Sequence, residues 1–512
     1  MNGVLFEEAR PVAEVSPNRA DIACFIGFVN RRATALPESV NTWLQENGWR
    51  PADAPVADAD ELLHTPLPLE NFESFDLLFQ WEDRGGAGWT TWLGAAVRSF
   101  FAQGGARCYV VRAGDAWQPT SESLVLAADD QKSGIGKLIP GSVPNLSPDC
   151  TAWQGLDVLQ GLEDVAFVCL PDLPELVADA ALAAGKFDLP LPPPEEFREY
   201  STIIAPAKNA NRPQFRSPAC TAAGYSAWFS TVNNAVAFLK QIRRDVQLIL
   251  AVPLPAEGKP SQGDLLGALS HKDGSGLQTP LANGSSPAGI ATAFLQLVYP
   301  WLATDNAESL PGGWEPPDGA FVGIASRTVA KLGAHRSLGR QPLQRVSRFY
   351  PLLTARDQQL LTPNGAAPAL IHRVSLLGQT PDGPRVLSDV TTSLSPAHRP
   401  AAVGRLTAAI LRTARRLGEE VTFDASGPAL WRKLERRLES LLTQFFRAGA
   451  LLGDTAAAAF SVRCDETTTT QNDLDNGRVI AVVSFAPAQP VGLITVVLSL
   501  REGALLAAEA PN

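Results

Sequence analysis

The chain has 512 residues, 45% of them hydrophobic and 19% charged, which describes an ordinary globular protein of roughly three domains' worth of material. Acidic residues outnumber basic ones by 53 to 43, a formal charge of −10 at pH 7. That balance argues against a nucleic-acid or membrane-surface protein, because both partners are anionic.

MNGVLFEEAR at the N-terminus has no basic region followed by an apolar core, so no signal peptide is read there. From Ala20 to Arg327, short apolar runs alternate with helical segments. Ile22–Phe28, Cys108–Arg112, Val165–Leu170, Thr202–Ala205, Val246–Val252 and Phe321–Ala325 read as strands. Several are near-continuous hydrophobic runs, as expected for a parallel sheet buried on both faces. Trp92–Gln103 reads as a helix stopped by Gly104-Gly105. Ser286-Pro287 supplies a cap and first-turn proline to a helix running toward Tyr299. The alternation predicts α/β layering. Ala113–Cys150 and Leu254–Ser286, rich in Gly, Ser, Pro and Asp, read as surface loops or a small inserted lobe; Leu189–Glu195 is a polyproline spacer.

The last third is α+β. Ala401–Leu417 places Val403, Leu406, Ile410, Ala414 and Leu417 on one helical face and stops at Gly418. Pro428–Ala448 buries Leu430, Leu434, Leu438, Leu441 and Phe445 and stops at Gly449. Val479–Leu500 is uncharged and long enough to suggest a membrane span. Pro487 and Pro490 in its middle would break a helix, so it reads as two β-branched strands joined by a proline turn, in a soluble protein.

The residues for catalysis do not converge. Cys24, Cys108, Cys150, Cys169, Cys220 and Cys464 form no CxxC, and most sit in apolar runs, as reduced buried thiols do. The five histidines have no metal-ligand spacing. Gly134-Ile-Gly136-Lys137 lacks the full phosphate-loop pattern and reads as a surface turn, and Arg84-Gly-Gly-Ala-Gly88 is equally bland. Ser226 lacks the second glycine of a nucleophile elbow. Asp465, Glu466, Asp473 and Asp475 read as a solvated acidic turn in preference to a cation site. No catalytic residue, cofactor or metal is expected. What stands out is a basic concentration. Between Ala401 and Ala448 lie nine basic and five acidic residues, +4 locally in a chain of −10. This is either the wet face of two amphipathic helices or a docking face for an acidic protein.

The order of motifs resembles a contractile tail sheath protein, of the family of myophage tails, R-type pyocins and extracellular contractile injection systems. The motifs are RADIACFIGFV (Arg19–Val29), LGAAVRSFFAQGGARCYVVR (Leu93–Arg112), WQGLDVLQGLEDVAFVCLPD (Trp153–Asp172), YPWL (Tyr299–Leu302), PPDGAFVGIASR (Pro316–Arg327) and LTPNG (Leu361–Gly365). FDASGPALW, GALLGDTAAAAFSVRCDETTTT and NGRVIAVVSFAPAQPVGLITVVLSL follow from Phe423 onward. The stretches 113–150 and 171–254 match the pattern poorly, and KLGAHRSLGRQPL stands where many sheaths carry a SPAN-like sequence.

The resemblance implies a discontinuous inner α+β domain, made of an N-terminal arm (1–19) and residues 341–512, with an outer α/β domain (20–340) inserted. It implies a structural subunit, not an enzyme, that polymerises helically around an inner tube and contracts to drive the tube through a target envelope. Assembly would occur in the bacterial cytoplasm. Val4, Leu5 and Phe6 at one end, and Leu493, Ile494, Val496, Val497 and Leu498 at the other, would be strand arms pairing with neighbours, the second set presenting an edge strand. Arg412, Arg416, Arg432, Arg436 and Arg447 would face the tube. The implied partners are further copies of the chain, an inner tube protein, baseplate and cap proteins, and paralogous sheath subunits where they exist; no nucleic acid and no membrane insertion. A non-contractile cap or baseplate-ring subunit, and an α/β enzyme, are the alternatives.

Overall fold

A computed structural model describes residues 19–51, 62–182, 216–256, 292–354, 358 and 370–509, apart from short stretches at 85–87, 119–124, 142, 146, 306, 394, 422–426, 476–477, 490–493 and 502–503. Ile22–Phe28 (β1), Pro66–Leu69 (β2), Cys108–Gly114 (β3), Val165–Cys169 (β4), Gln247–Ala251 (β5), Leu295–Tyr299 (β6), Ser375–Thr380 (β7) and Gly383–Val386 (β8) form one sheet. Their order is β8-β7-β6-β5-β4-β1-β3-β2. The six central strands run parallel, and β8 and β2 close the edges antiparallel. Phe25 of β1 stands opposite Val110 on one side and Cys169 on the other. Every residue of β1, β3, β4, β5 and β6 is buried, which accounts for their mostly apolar sequences; Arg112, Gln247 and Gln296 are the polar exceptions and are buried with them. β7 and β8 lie C-terminal to residue 341 and still belong to this sheet.

Helices Trp92–Ala102 (α1), Ala222–Ile242 (α2) and Asp318–Leu332 (α3) pack with this sheet. Thr91 caps α1, its hydroxyl accepting from the Gly94 amide at 3.1 Å, and the chain leaves the helix at Gly104 with φ +92°. α3 crosses α1 with backbones almost in contact. A Cβ on Gly319 would lie 2.4 Å from the Ala96 carbonyl oxygen, and one on Gly323 would lie 2.4 Å from that of Phe100.

Three expectations change. Phe321–Ala325 is the middle of α3, not a strand; wedged between sheet and helix, it is apolar on all sides and so has no readable period. Leu295–Tyr299, expected at the end of a helix, is β6, with β5 and β7 satisfying it on either side. Gly134–Lys137 belongs to a helix, Ala128–Leu138, and is not a turn. Thr202–Ala205 lies outside the described residues.

A second apolar core lies under the C-terminal elements. Helices Ala401–Glu420 (α4) and Pro428–Arg447 (α5) cover a sheet of Phe460–Arg463 (β9), Arg478–Phe485 (β10), Ile494–Arg501 (β11) and Ala504–Glu509 (β12), in that order. α4 runs two residues past Gly418, which is buried inside the helix. α5 is followed by Gly449 at φ +71°. Along β10 burial alternates, with Val479, Ala481, Val483 and Phe485 facing Leu434, Leu438 and Leu442 of α5 across the core. β10 and β11 pair antiparallel from Arg478–Arg501 to Phe485–Ile494, so the long uncharged stretch is the expected pair of strands. Among the described residues no helix is long and apolar enough to cross a membrane.

Candidate interaction surfaces

α4 and α5 carry the basic residues singled out in the sequence, and the fold divides them into two groups. Ala401, Arg405, Ala408, Arg412 and Arg415 recur at helical spacing and form the stripe of α4 turned to the large sheet. Arg405 is 3% exposed and donates to both oxygens of Asp389, at 3.0 and 2.6 Å, and to the Arg336 carbonyl at 2.9 Å. Asp389 also accepts from the Leu338 amide (2.8 Å) and the Gln296 side chain (3.1 Å). Burial by itself would raise its carboxyl, but the Arg405 charge and these hydrogen bonds more than offset it and hold it below the usual range.

Arg412 requires a correction. It was expected to face a tube; it is 5% exposed and donates to the Asp245 carbonyl at 2.5 Å. Burial lowers its guanidinium to about 10 despite the Asp245 charge. The Asp245 carboxylate is forked by Arg243 at 2.9 Å to each oxygen and approached by Arg415 at 3.6 Å. Burial opposes ionisation, yet these cations hold the carboxyl at about 2. Arg243 also donates to the carbonyls of Leu159 (2.8 Å), Glu163 (3.2 Å) and Val165 (3.1 Å). Arg412 therefore fastens α4 to the corner ahead of β5, because an arginine on the buried stripe must find acceptors.

The second group is outward. Arg432, Arg436 and Arg447 are exposed on α5, and Arg416 is half-buried on α4. Arg432 donates to the Pro428 carbonyl at 3.2 Å, and Arg437 pairs with Glu420, tying α5 to the end of α4.

Of the strand-arm residues, Val4, Leu5, Phe6 and Leu493 lie outside the described residues. Ile494, Val496 and Leu498 are buried in β11, with Val497 half-buried. β11 is not an edge: β10 lies on one side and β12 on the other, so among the described residues the sheet's edge strands are β9 and β12. The reason is the extra strand Ala504–Glu509, which the sequence reading had not separated from the C-terminal tail.

The acidic stretch is not one solvated turn: Asp465 and Glu466 are exposed, whereas Asp473 is buried in the short helix Gln471–Asp475. Asp465 accepts from the Thr467 amide at 2.8 Å, and Asp473 accepts from the Thr470 amide at 3.1 Å and pairs with Arg478. Thr469 joins this turn to β10, accepting from the Ile480 amide at 3.0 Å. The threonine run thus reads as a brace. Ser226 is exposed on α2, and Arg84 is a buried partner of Glu175 at 2.5 Å. All six cysteines are free thiols, five of them buried. Among the described residues no group of three His, Cys, Asp or Glu could hold a metal ion.

No family model and no curated protein sequence matches the chain. Solved structures do. The chain is similar to a chain of the anti-feeding prophage (AFP) baseplate in the contracted state, at 17% identity and TM-score 0.56. It is similar to one of the 6-fold symmetrised AFP baseplate at 16% and 0.54, and to one of the contracted AFP helical sheath at 16% and 0.51. Each similarity covers 96% of this chain and 96% of the other. The fold described above is thus similar to that of a chain of the AFP helical sheath and of chains of the AFP baseplate.

Proposed function

We propose that the chain is the structural subunit of a contractile sheath, polymerising helically around an inner tube and shortening to drive that tube outward. The observation carrying this reading is the end-to-end similarity, 96% of both chains, to a chain of a helical sheath. A heterologous contact repeated between identical copies builds such a lattice. Its strand-mediated links fit at β9 and β12, the edge strands of the C-terminal sheet among the described residues, where main-chain groups accept an added strand. Val4–Phe6 of a neighbour is our candidate donor, with Ile494–Leu498 forming the body of the sheet that receives it. Exposed Arg432, Arg436 and Arg447, with Arg416 beside them, are the candidate grip on an acidic tube. Charged contacts in water are individually weak, about 0–1 kcal/mol, so they hold by repetition and release readily. Contraction then needs no nucleotide. Rigid-body rotation into a better-packed lattice supplies the work, and a gain of ~1–3 kcal/mol per subunit accumulates along the stack.

A second reading has its own support: two of the similar chains come from baseplate structures, which suits a ring subunit at the end of the same particle. Negative-stain microscopy of the purified protein separates the two. Long striated tubes are the expected result. Short rings that never extend would establish the baseplate reading in place of the sheath.

A further inference from the structure

Charge is distributed unevenly along the chain. Residues 33–83 hold eleven acidic residues and one basic residue, Arg50, which is buried and donates to Asn41 at 2.9 Å. Residues 327–348 hold six basic residues, Arg327, Lys331, Arg336, Arg340, Arg345 and Arg348, and no acidic one. The fold carries the two segments to opposite edges of the large sheet. At one edge, the helices Glu38–Glu46 and Phe72–Leu78 both pack against β2, and Glu70 directly follows that strand. Arg32 pairs with Asp76 and Glu82 at 3.3 and 2.7 Å, while Glu38, Glu46, Glu70 and Glu73 stand exposed. Asp53, Asp58, Asp60 and Glu61 of this segment lie outside the described residues.

The basic segment is fastened along β8, the other edge. The Arg340 amide donates to the Val386 carbonyl at 2.8 Å and the Leu343 amide to that of Pro384 at 3.0 Å, while the Gln341 carbonyl accepts from the Val386 amide at 3.0 Å. Arg327 donates to the Pro342 carbonyl at 3.3 Å, and Arg385 of β8 adds a further cation beside Arg340. Lys331, Arg336, Arg340, Arg345 and Arg348 are exposed. Among the described residues, Asp305 approaches Arg345 at 3.8 Å and Asp382 approaches Arg385 at 3.7 Å. Residues 340–343 cover the outer side of β8, and two of the four residues of β2, Pro66 and Pro68, have no N–H, so neither edge is a template for an added strand. Each presents side-chain charge instead. Eight strands set the edges about 34 Å apart, several times the ~8 Å screening length at physiological salt, so the two charges do not neutralise each other within one chain.

A polyanion would meet the basic edge and leave the acidic one without a role. A second copy of the chain accounts for both with one contact, since the acidic edge of each copy complements the basic edge of the next and the contact repeats. We infer that copies join head to tail through these edges, the β2 end of one against the β8 end of its neighbour, as a side-chain contact separate from the strand links of the C-terminal sheet. The inference rests on the polymeric reading above.

The test uses the purified full chain with no tube protein present. Arg336→Glu with Arg340→Glu alters one edge, and Glu70→Lys with Glu73→Lys alters the other; all four positions are exposed. Each double variant is expected to raise the concentration needed for assembly at low salt about tenfold, the effect of a few surface ion pairs turned repulsive. If the arginine reversal does not fold, Arg336→Gln with Arg340→Gln takes its place. Contact is read by cross-linking in a Cys150→Ser background, which removes the half-buried thiol and leaves the five buried ones. Glu70→Cys in one preparation and Arg340→Cys in another should yield covalent dimers with a flexible dimaleimide when the two are assembled together, and none when either is assembled alone. Unchanged assembly of both double variants would overturn the contact and leave the sheath reading standing. Weakened assembly without the mixed cross-link would assign the charges to some other contact and overturn it equally. So would heparin binding that the arginine reversal abolishes while assembly is unchanged, which would give the basic edge to a polyanion. A wild-type protein that never assembles would overturn both the contact and the polymeric reading.

Discussion

Arg405 and Asp389 face each other through two hydrogen bonds, at 3.0 and 2.6 Å, with both side chains out of water. The pair closes the junction between the large sheet and α4. Asp389 precedes the helix and Arg405 lies within it, while Leu338 and Gln296 bring two further segments to the same carboxylate. Removing the cation leaves a buried carboxylate with neutral donors only. Arg405→Met should therefore cost about 3–5 kcal/mol in urea unfolding, far more than a surface substitution. A loss under about 1 kcal/mol would show that the junction is held by packing alone.

The stability of the chain should fall on both sides of a mildly acidic optimum. Burial pushes Asp172 up to about 8, and Glu315 and Asp318 to about 7, so folding takes up protons above the unfolded value near 4. Their contribution is complete below pH ~4 and is lost as pH rises through 7–8. Asp245 and Asp389, both held down, behave oppositely: their contribution is present above pH ~4 and is lost in acid, for Asp245 as pH falls toward 2. Melting temperatures should drop from pH 5 to pH 9, and Asp172→Asn should flatten that slope. An unchanged slope in this variant would exclude Asp172 as a source.

The close crossing of α1 and α3 predicts the sign of a small substitution. Alanine normally favours a helix over glycine by up to ~1 kcal/mol. At Gly319 its Cβ would meet the Ala96 backbone oxygen at 2.4 Å, and backbone cannot swing aside as a side chain can. Gly319→Ala should lower stability by ~1–3 kcal/mol, the range of overpacked cores. A stabilised variant would contradict the crossing geometry.

The two arginine groups should respond differently to charge reversal. Arg432→Glu with Arg436→Glu alters exposed positions, so the melting temperature should change little while extended, tube-filled particles become fewer. Arg412→Glu places an anion beside the buried Asp245 and should disrupt folding itself. Circular dichroism and particle counts on both variants check the contrast. Full-length extended particles at normal yield from the first variant, in low salt, would reduce that face to solvated surface.

Truncations separate assembly from folding. Deleting residues 1–11 should leave a folded monomer that fails to form stable tubes. Removing everything from Val491 onward takes away β11, with buried Ile494, Val496 and Leu498, and should unfold the C-terminal core. Ending the chain at Arg501 keeps that strand and removes only β12. Protease resistance of residues 401–501 in the three proteins tells them apart.

Much of this architecture is legible in the chain. The helical periods of α4 and α5, the β-branched pair β10 and β11, and the buried strands β1 and β3 are written in local pattern. Failures came where burial erases period. GAFVGIAS is apolar all round because α3 is covered on every side, and LQLVY is short enough to suit either structure. Arg412 illustrates a different limit. Its acceptor lies 167 residues away, and nothing local distinguishes an arginine that finds such a partner from one left in water. A faint signal existed: Ala401, Arg405, Ala408 and Arg412 interleave small and basic residues on one stripe, as close approach requires.

α4 belongs to both cores. Ala409 is part of the first, while Val403, Leu406, Ile410 and Ala414 are part of the second. A helix gripped along two sides cannot swing relative to either neighbour without breaking one set of contacts. Mechanical load entering at the C-terminal sheet therefore reaches the large sheet through α4, pinned at Asp389 and Asp245. In the proposed sheath, compliance between copies would then reside outside this helix, in the links that join one copy to the next.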